Sequence, residues 1–462
     1  MTSLPAHPVE VFAVTNPYSG ETIDNLTESS KGEIHSVVAT ARQAAAAFRH
    51  STPFERRDLL NKIVALMARD AEELAVTVCL EVGKTITEAR NEIRRAQNTL
   101  RLSGDAATFL DGEVMHCGIV EGGVDRQAVV SYVPTGVVAA ITPFNYPVNL
   151  LCHKLGPALA AGNAVVVKPS PKAPLAAQHL VDLCEKAGAP KGLVQIVHGG
   201  AEAATALAEA NIDLLSFTGG PVAGLALKRA SGLVRCLMEL GGNDPLIVLP
   251  DGDLDAAANT AVGHRFEIAG QSCAAVKKLY VHKDVKDDFT EILLEKVSEV
   301  EQGNPMETST VMGPVIDTPA AEEISRRLKE AVASGARMLT GGKHSGANFE
   351  PTVIDNVSTD VQLFAEETFG PVLAMREFER LDQVIAEINA SDYGLQAGIY
   401  SNDHAQIRHL SRNLEVGGIM INEGPDFRAE HVPFGGIKSS GLGREGVRIA
   451  LREMSETRVV ID

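Results

Sequence analysis

An α/β architecture, with helices packed on mostly parallel sheets, is predicted by three observations. Short apolar strands alternate with helix-length segments between Ala164 and Ala230. The same rhythm restarts at Pro245. Aromatic residues make up only 4% of the 462 residues and tryptophan is absent, so the core must be built from Ala, Val, Leu and Ile, as in a sheet buried on both faces. Strands separated by helices of this length pair in parallel, which makes the first sheet Rossmann-like and the second half a further α/β domain.

The elements follow in order. Residues 31–48 and 54–104 are predicted to be helical, because Leu59, Ile63, Leu66 and Met67 recur at i, i+3 and i+4 spacing with charged residues on the other face. Residues 128–133 and 137–141 read as strands. Pro147 fits the first position of a helix running through Lys154 and Leu159. Strands at 164–167, 194–198 and 214–218 then alternate with helices at 173–186, 202–209 and 222–230. In the second half, strands at 245–249, 278–281 and 371–378 alternate with helices at 254–269, 285–301, 320–334 and 381–389. The chain closes with a helix after Arg444 and a strand at 457–461. That strand has no evident partner in the second half, so pairing with another region or subunit is expected. No repeat and no Pro/Gly/Ser-rich linker interrupts the chain, and the two α/β units are expected to share a wide cleft.

Composition excludes several functions. A net charge of −18 repels phosphate backbones and argues against nucleic-acid binding. Cys79, Cys117, Cys152, Cys184, Cys236 and Cys273 are scattered, with neither a CxxC pair nor metal-ligand spacing, so no metal site and no disulfide framework are expected. Residues Met1–Phe12 lack a basic start and an apolar core of signal-peptide length, and no run of about 18 apolar residues exists, so a cytoplasmic protein without a membrane span is expected. Two glycosylation patterns, at Asn25 and Asn356, read as chance.

Four segments bear on chemistry. Cys273, flanked by small residues between a helix and a strand, is either an open nucleophile or a small buried hydrophobe. Glu239, at the end of an apolar strand before two glycines, suits a general base in a cleft or a solvated strand end. Asn145, ahead of a helix, suits an oxyanion donor or an N-cap. Gly219 and Gly220 lie between a strand and a helix, where backbone N–H groups receive a pyrophosphate. A GxGxxG fingerprint is missing, and Gly83-Lys84-Thr85 fails as a P-loop because Val78 stands where its first glycine belongs.

Taken together and in this order, these segments resemble the aldehyde dehydrogenase superfamily over essentially the full chain. The matching stretches are TPFNYPVN at 142–149, GNAVVVKPSPKAPL at 162–175, SFTGG at 216–220, ELGGND at 239–244, GQSCAAVKK at 270–278, EETFGPV at 366–372 and PFGGIKSSGLGREG at 433–446. The resemblance implies NAD(P)+-dependent oxidation of an aldehyde to a carboxylic acid. It makes Cys273 the nucleophile, Asn145 and the Cys273 backbone N–H the oxyanion donors, and Glu239 the base that activates water. Lys154 and Glu445 match a proton relay, with a structural salt bridge as the competing reading. NAD or NADP would lie against Thr142, Pro143, Phe144, Lys168, Ser170, Pro171, Gly219, Gly220, Leu240, Glu367 and Phe369. Many NAD-preferring members carry a glutamate where Pro171 stands, followed here by Lys172. Its absence removes a repulsion of the 2′-phosphate and leaves NADP open.

The resemblance also implies the family's division: a Rossmann-like cofactor domain at 1–115 and 134–239, an α/β catalytic domain at 240–440, and a small β oligomerisation arm with elements at 116–133 and 447–462. A homodimer or homotetramer is implied. Substrate contacts are expected from Arg101, His153, Ser272, Arg428 and His431. The loop Asn422–His431 and the AVKK segment place the chain near the phosphonoacetaldehyde, lactaldehyde and non-phosphorylating glyceraldehyde-3-phosphate dehydrogenases. Two positions depart from relatives of that kind. Ser272 replaces an arginine seen before the nucleophile, and Glu267 replaces an arginine of succinate-semialdehyde enzymes, which lowers that substrate in rank. A small polar or anionic aldehyde is expected, phosphonoacetaldehyde first and lactaldehyde second. Glyceraldehyde 3-phosphate and succinate semialdehyde remain alternatives. The rival readings are a CoA-acylating dehydrogenase, disfavoured by Glu239, and a non-catalytic protein on the same fold.

Overall fold

A computed structural model describes residues 10–462. Most of the Met1–Phe12 stretch, read as lacking a signal sequence, lies outside the described residues. Two α/β sheets carry the chain. The first has six strands in the order Gly441–Leu442, Arg235–Glu239, Leu214–Thr218, Val137–Ile141, Ala164–Lys168, Val194–Ile196. All its pairings are parallel except that of Gly441–Leu442, which runs antiparallel to Arg235–Glu239. The second has seven strands in the order Arg337–Thr340, Thr352–Asp355, Val372–Phe378, Lys278–His282, Pro245–Val248, Gln396–Tyr400, Gly418–Ile421. It is parallel apart from its first pair. Val137–Ile141 and Ala164–Lys168 are buried throughout, as their unbroken aliphatic runs require. Fully burying each such Val or Leu contributes about 1.5–3 kcal/mol.

The segment 54–104 is three helices rather than one: Pro53–Arg69, Ala71–Val82 and Ile86–Ala106. Apolar periodicity runs on across the joints, which is why a period count misses them. The backbone breaks at Asp70 and at Gly83, where φ is +78° and an added Cβ would lie 2.8 Å from Pro314 Cγ. Capping boxes Thr52/Glu55 and Thr85/Glu88 start the flanking helices. The helix expected to open at Pro147 begins at Asn149, and the one expected to reach Ala269 stops at Phe266. Ile268 and Ala269 take left-handed backbone angles instead, φ +51° and +53°.

The terminal strand Ser455–Ile461 does find a partner. It pairs antiparallel with Gln127–Pro134, which in turn pairs with Glu113–His116, forming a three-stranded sheet away from the two larger ones. Val114, Met115, Val129, Val459, Val460 and Ile461 are exposed on this sheet. A hairpin of Val11–Thr15 and Thr22–Thr27, also unanticipated, precedes the first helix. No helix among the described residues is long and apolar enough to cross a membrane.

Candidate active site

The turn that follows Val137–Ile141 carries the first functional side chain. Asn145 is buried, and its Nδ2 donates to the Gln271 carbonyl at 2.8 Å. An amide nitrogen has two hydrogens, so one remains for another acceptor. Asn145 Oδ1 and the nearby Thr142 Oγ1 have no partner among the described residues.

Glu239 ends its strand and is buried, with Oε2 unpartnered among the described residues. Gly435, at φ +149°, permits this: a Cβ there would sit 2.5 Å from Glu239 Oε1. Burial raises the Glu239 carboxyl well above its ordinary value, and neighbouring Glu445 pushes the same way, against Arg428, Lys154 and Arg444. A buried carboxyl displaced upward is the environment a general base at neutral pH requires.

Cys273 follows the left-handed bend at Ile268–Ala269 and is half-buried, facing a cleft. Lys277 Nζ lies behind it, donating to the Ser272 and Cys273 carbonyls at 2.7 and 2.6 Å. Burial pushes the thiol above its ordinary value, with Lys277 opposing and Asp426, Glu367 and Asp244 adding to the rise. In the free protein the sulfur therefore keeps its proton, and attack needs an acceptor for it.

These three side chains line one cavity of about 520 Å³. Thr142, Pro143, Phe144, Lys168, Ser170, Pro171, Gly219, Gly220, Leu240, Glu367 and Phe369 line it too, so every expected cofactor residue shares the cavity with Cys273. Phe144 and Phe369 meet edge to face, 6.0 Å between centroids. Glu367 accepts from Gly242 N–H at 3.3 Å and approaches Lys277 at 3.4 Å. A Cβ at Gly241 would lie 2.0 Å from Glu367 Oε2 and would displace that carboxylate. Lys168 Nζ bonds the Gly199 carbonyl at 2.6 Å, and burial lowers its pKa to about 8. The donor set suits a dinucleotide: the Thr142 hydroxyl, unpartnered among the described residues, the uncapped start of the helix Pro221–Ala230 and the buried Lys168 ammonium are donors of the kind that phosphate and ribose oxygens accept. Lys172 is exposed and pairs with Asp317 at 2.9 Å.

Lys154 and Glu445 form a buried ion pair at 2.9 Å behind the cavity wall. Lys154 also donates to Thr218, which lines the cavity. Glu445 is held below its ordinary range: burial opposes ionisation, but Lys154, Arg428 and His153 outweigh it.

The expected substrate residues separate into two groups. Ser272 Oγ donates to Asp426 at 3.0 Å. Arg428 donates to Glu445 at 2.9 Å and lies 4.2 Å over the Phe434 ring. His153 Nε2 meets Glu430 at 2.6 Å. Burial and the neighbouring Arg428 lower the His153 pKa, against the pull of Glu430 and Glu445. Arg101 and His431, by contrast, are exposed, and none of the five expected substrate residues lines the cavity itself. Arg101 points outward from the helix Ile86–Ala106, and His431 lines a separate hollow with Phe109 and Arg448. Sequence reasoning passed over Arg95, Asp426, Glu430 and Lys277. Arg95, not Arg101, reaches the loop, bonding Glu430 at 2.8 Å. Asp426 and Glu430 flank Arg428 at two-residue spacing, a signal that was present in the loop.

A partly open cysteine, an amide donor and a carboxyl of raised pKa share one cleft beside a Rossmann-like sheet, an arrangement suited to a dehydrogenase. The comparisons agree. The aldehyde dehydrogenase family model matches residues 5–460, and the chain belongs to that family. It is 39% identical to the sulfoacetaldehyde dehydrogenase of Neptuniibacter caesariensis over 97% of this chain and 99% of that protein. It is 40% identical to the 3-sulfolactaldehyde dehydrogenase of Priestia megaterium, over 98% and 95%. Among solved structures it is similar to the glyceraldehyde-3-phosphate dehydrogenase GapN of Methanocaldococcus jannaschii complexed with NADP. The TM-score is 0.94 and the identity 34%, over 99% of this chain and 100% of that one. The protein is therefore an aldehyde-oxidising oxidoreductase that uses NAD or NADP.

Proposed function

We propose that the protein converts a small polar aldehyde to the free carboxylic acid through a thioester on Cys273. The convergence of Cys273, Asn145 and Glu239 on one cavity carries this reading. The Cys273 thiol gives up its proton to solvent in the open cleft as the sulfur adds to the aldehyde carbon, and the oxygen that becomes negative is held by Asn145 Nδ2 and the Cys273 N–H. The bound nicotinamide supplies a hydride acceptor. Glu239 then takes a proton from the water that opens the thioester. Lys154 and Glu445 carry that proton onward. Purified enzyme given an aldehyde, with and without coenzyme A, should release the free acid; faster formation of an acyl-CoA would overturn the assignment.

Residues 1–115 and 134–239 form the cofactor domain in this reading, 240–440 the catalytic domain, and 116–133 with 447–462 the oligomerisation arm. The exposed valines and isoleucine of the three-stranded sheet support a homodimer or homotetramer. The six cysteines are unbonded, which supports a cytoplasmic location.

Lys168 holds the adenosine ribose in this reading. Its charge is lost as pH rises through about 8, so NAD(P)+ affinity should weaken above that pH. Titration calorimetry across this range checks it. A pH dependence that persists in Lys168→Met assigns the effect elsewhere.

Phosphonoacetaldehyde is the first proposed substrate and lactaldehyde the second. The loop that carries Arg428 offers two buried atoms without a hydrogen-bond partner among the described residues, the donor Arg428 Nε, 3.8 Å from Glu430, and the acceptor Asp426 Oδ2. These suit an anionic and a hydroxyl tail respectively. The similarity to enzymes named for sulfonated aldehydes supports the anionic class. Arg428→Ala should raise KM for phosphonoacetaldehyde at least about 10-fold more than for propanal. Equal effects on both would remove Arg428 from substrate recognition.

A further inference from the structure

We propose that Glu88 and Glu92 are positioning residues that fix Asn145 in register with Cys273. The inference rests on the oxyanion role given to Asn145 above. The two site turns, residues 142–149 and 267–273, lie far apart in the chain, yet one helix, Ile86–Ala106, holds both.

Glu92 is buried, and its Oε1 accepts the N–H groups of Val148 and Asn149 at 2.9 and 3.0 Å. These are free donors where the helix Asn149–Ala161 begins, and Val148 supplies no side-chain cap for them. The other oxygen of Glu92 binds Lys84 at 2.6 Å, and Lys84 Nζ lies 3.6 Å over the Tyr146 ring. The carboxylate and its counter-ion thus grip the Asn145 turn at residues 146, 148 and 149.

Glu88, one helical turn earlier, holds the other side. Its Oε1 accepts the Ile268 N–H at 2.8 Å, while Oε2 is anchored by the Thr85 N–H at 2.8 Å. Ile268 and Ala269 occupy left-handed angles that non-glycine residues avoid, so this bend needs outside support. The bend leads into Gln271, whose carbonyl receives Asn145 Nδ2. The oxyanion donor and the nucleophile loop are therefore linked twice: directly through Asn145 and Gln271, and through the spacing of two carboxylates on one helix face.

A double-mutant cycle tests this. Glu88→Asp withdraws the carboxylate by one methylene. It should lower kcat at least about 10-fold while KM for the nicotinamide cofactor stays within about 2-fold. In an Asn145→Ala background the same change should alter kcat less than about 2-fold, because the register then has nothing to serve. Glu88→Gln, which keeps an acceptor oxygen, should restore kcat to within about 3-fold of the parent. Equal fold-losses in both backgrounds, or an unchanged kcat in Glu88→Asp, overturn the proposal. If Glu88→Asp does not fold, Glu92→Asp carries the same cycle. An Asn145→Ala enzyme with full kcat would instead refute the oxyanion reading on which the proposal stands.

Discussion

Cys273→Ala should lower kcat/KM for aldehyde oxidation by about 10⁴-fold or more, with cofactor affinity and melting temperature nearly unchanged. The magnitude is that of losing the nucleophile in an enzyme that proceeds by covalent catalysis, where the remaining groups act as a unit and give little alone. No other cysteine can substitute. Cys79, Cys152, Cys184 and Cys236 are buried, and Cys117 lies beyond the strand Glu113–His116, away from the cleft. Stability should hold because Cys273 is half-buried and makes only a small packing contribution. The upward displacement of its thiol adds a second expectation for the wild type: alkylation of Cys273 in the free enzyme should accelerate with rising pH through the neutral range. Stopped-flow measurement of reduced nicotinamide and iodoacetamide kinetics check both parts. Activity within about 10-fold of wild type would place the nucleophile elsewhere.

How far the sequence reaches can be judged from particular residues. The strand–helix rhythm from Ala164 to Ala230 was legible because the strands are short, mostly apolar runs and the helices are amphipathic, both local properties. Cys273 was legible through its small neighbours and its place before a strand. The bend at Ile268–Ala269 was not, because its glycine, Gly270 at φ +73°, comes only after two non-glycine residues that already hold left-handed angles. Side-chain and carbonyl contacts from distant segments hold it, Glu88 among them. The strand Gly441–Leu442 was missed for a similar reason: two residues carry no period, and their partner at Glu239 lies some two hundred positions earlier. Arg95 was not legible as a partner of the loop, because in sequence it is one arginine among several on that helix, Arg101 included. Only the helix face decides that Arg95 meets Glu430 while Arg101 faces outward. Long-range pairing of charges is a property of the folded chain, and the local pattern does not encode it.

Glu239→Gln should separate the two halves of the reaction. Glutamine keeps the shape of the side chain but cannot take a proton from water, so acylation proceeds and hydrolysis stalls. One equivalent of reduced nicotinamide per site should appear as a burst. A steady state about 10²- to 10⁴-fold slower should follow, with the thioester visible by mass spectrometry as an adduct on Cys273. The same substitution should leave the fold equally or more stable at neutral pH. The carboxyl's folded pKa is raised above its ordinary 4.5 by burial, so the folded state binds the proton more tightly than the unfolded one. Its contribution to stability is therefore greatest below pH 4.5 and falls as the pH rises toward the elevated value. At pH 7 the wild type carries this penalty and the glutamine variant does not. A base is kept in a place that costs the protein stability because its chemistry needs that place. A variant with no burst and a lowered melting temperature would instead make Glu239 a structural carboxylate.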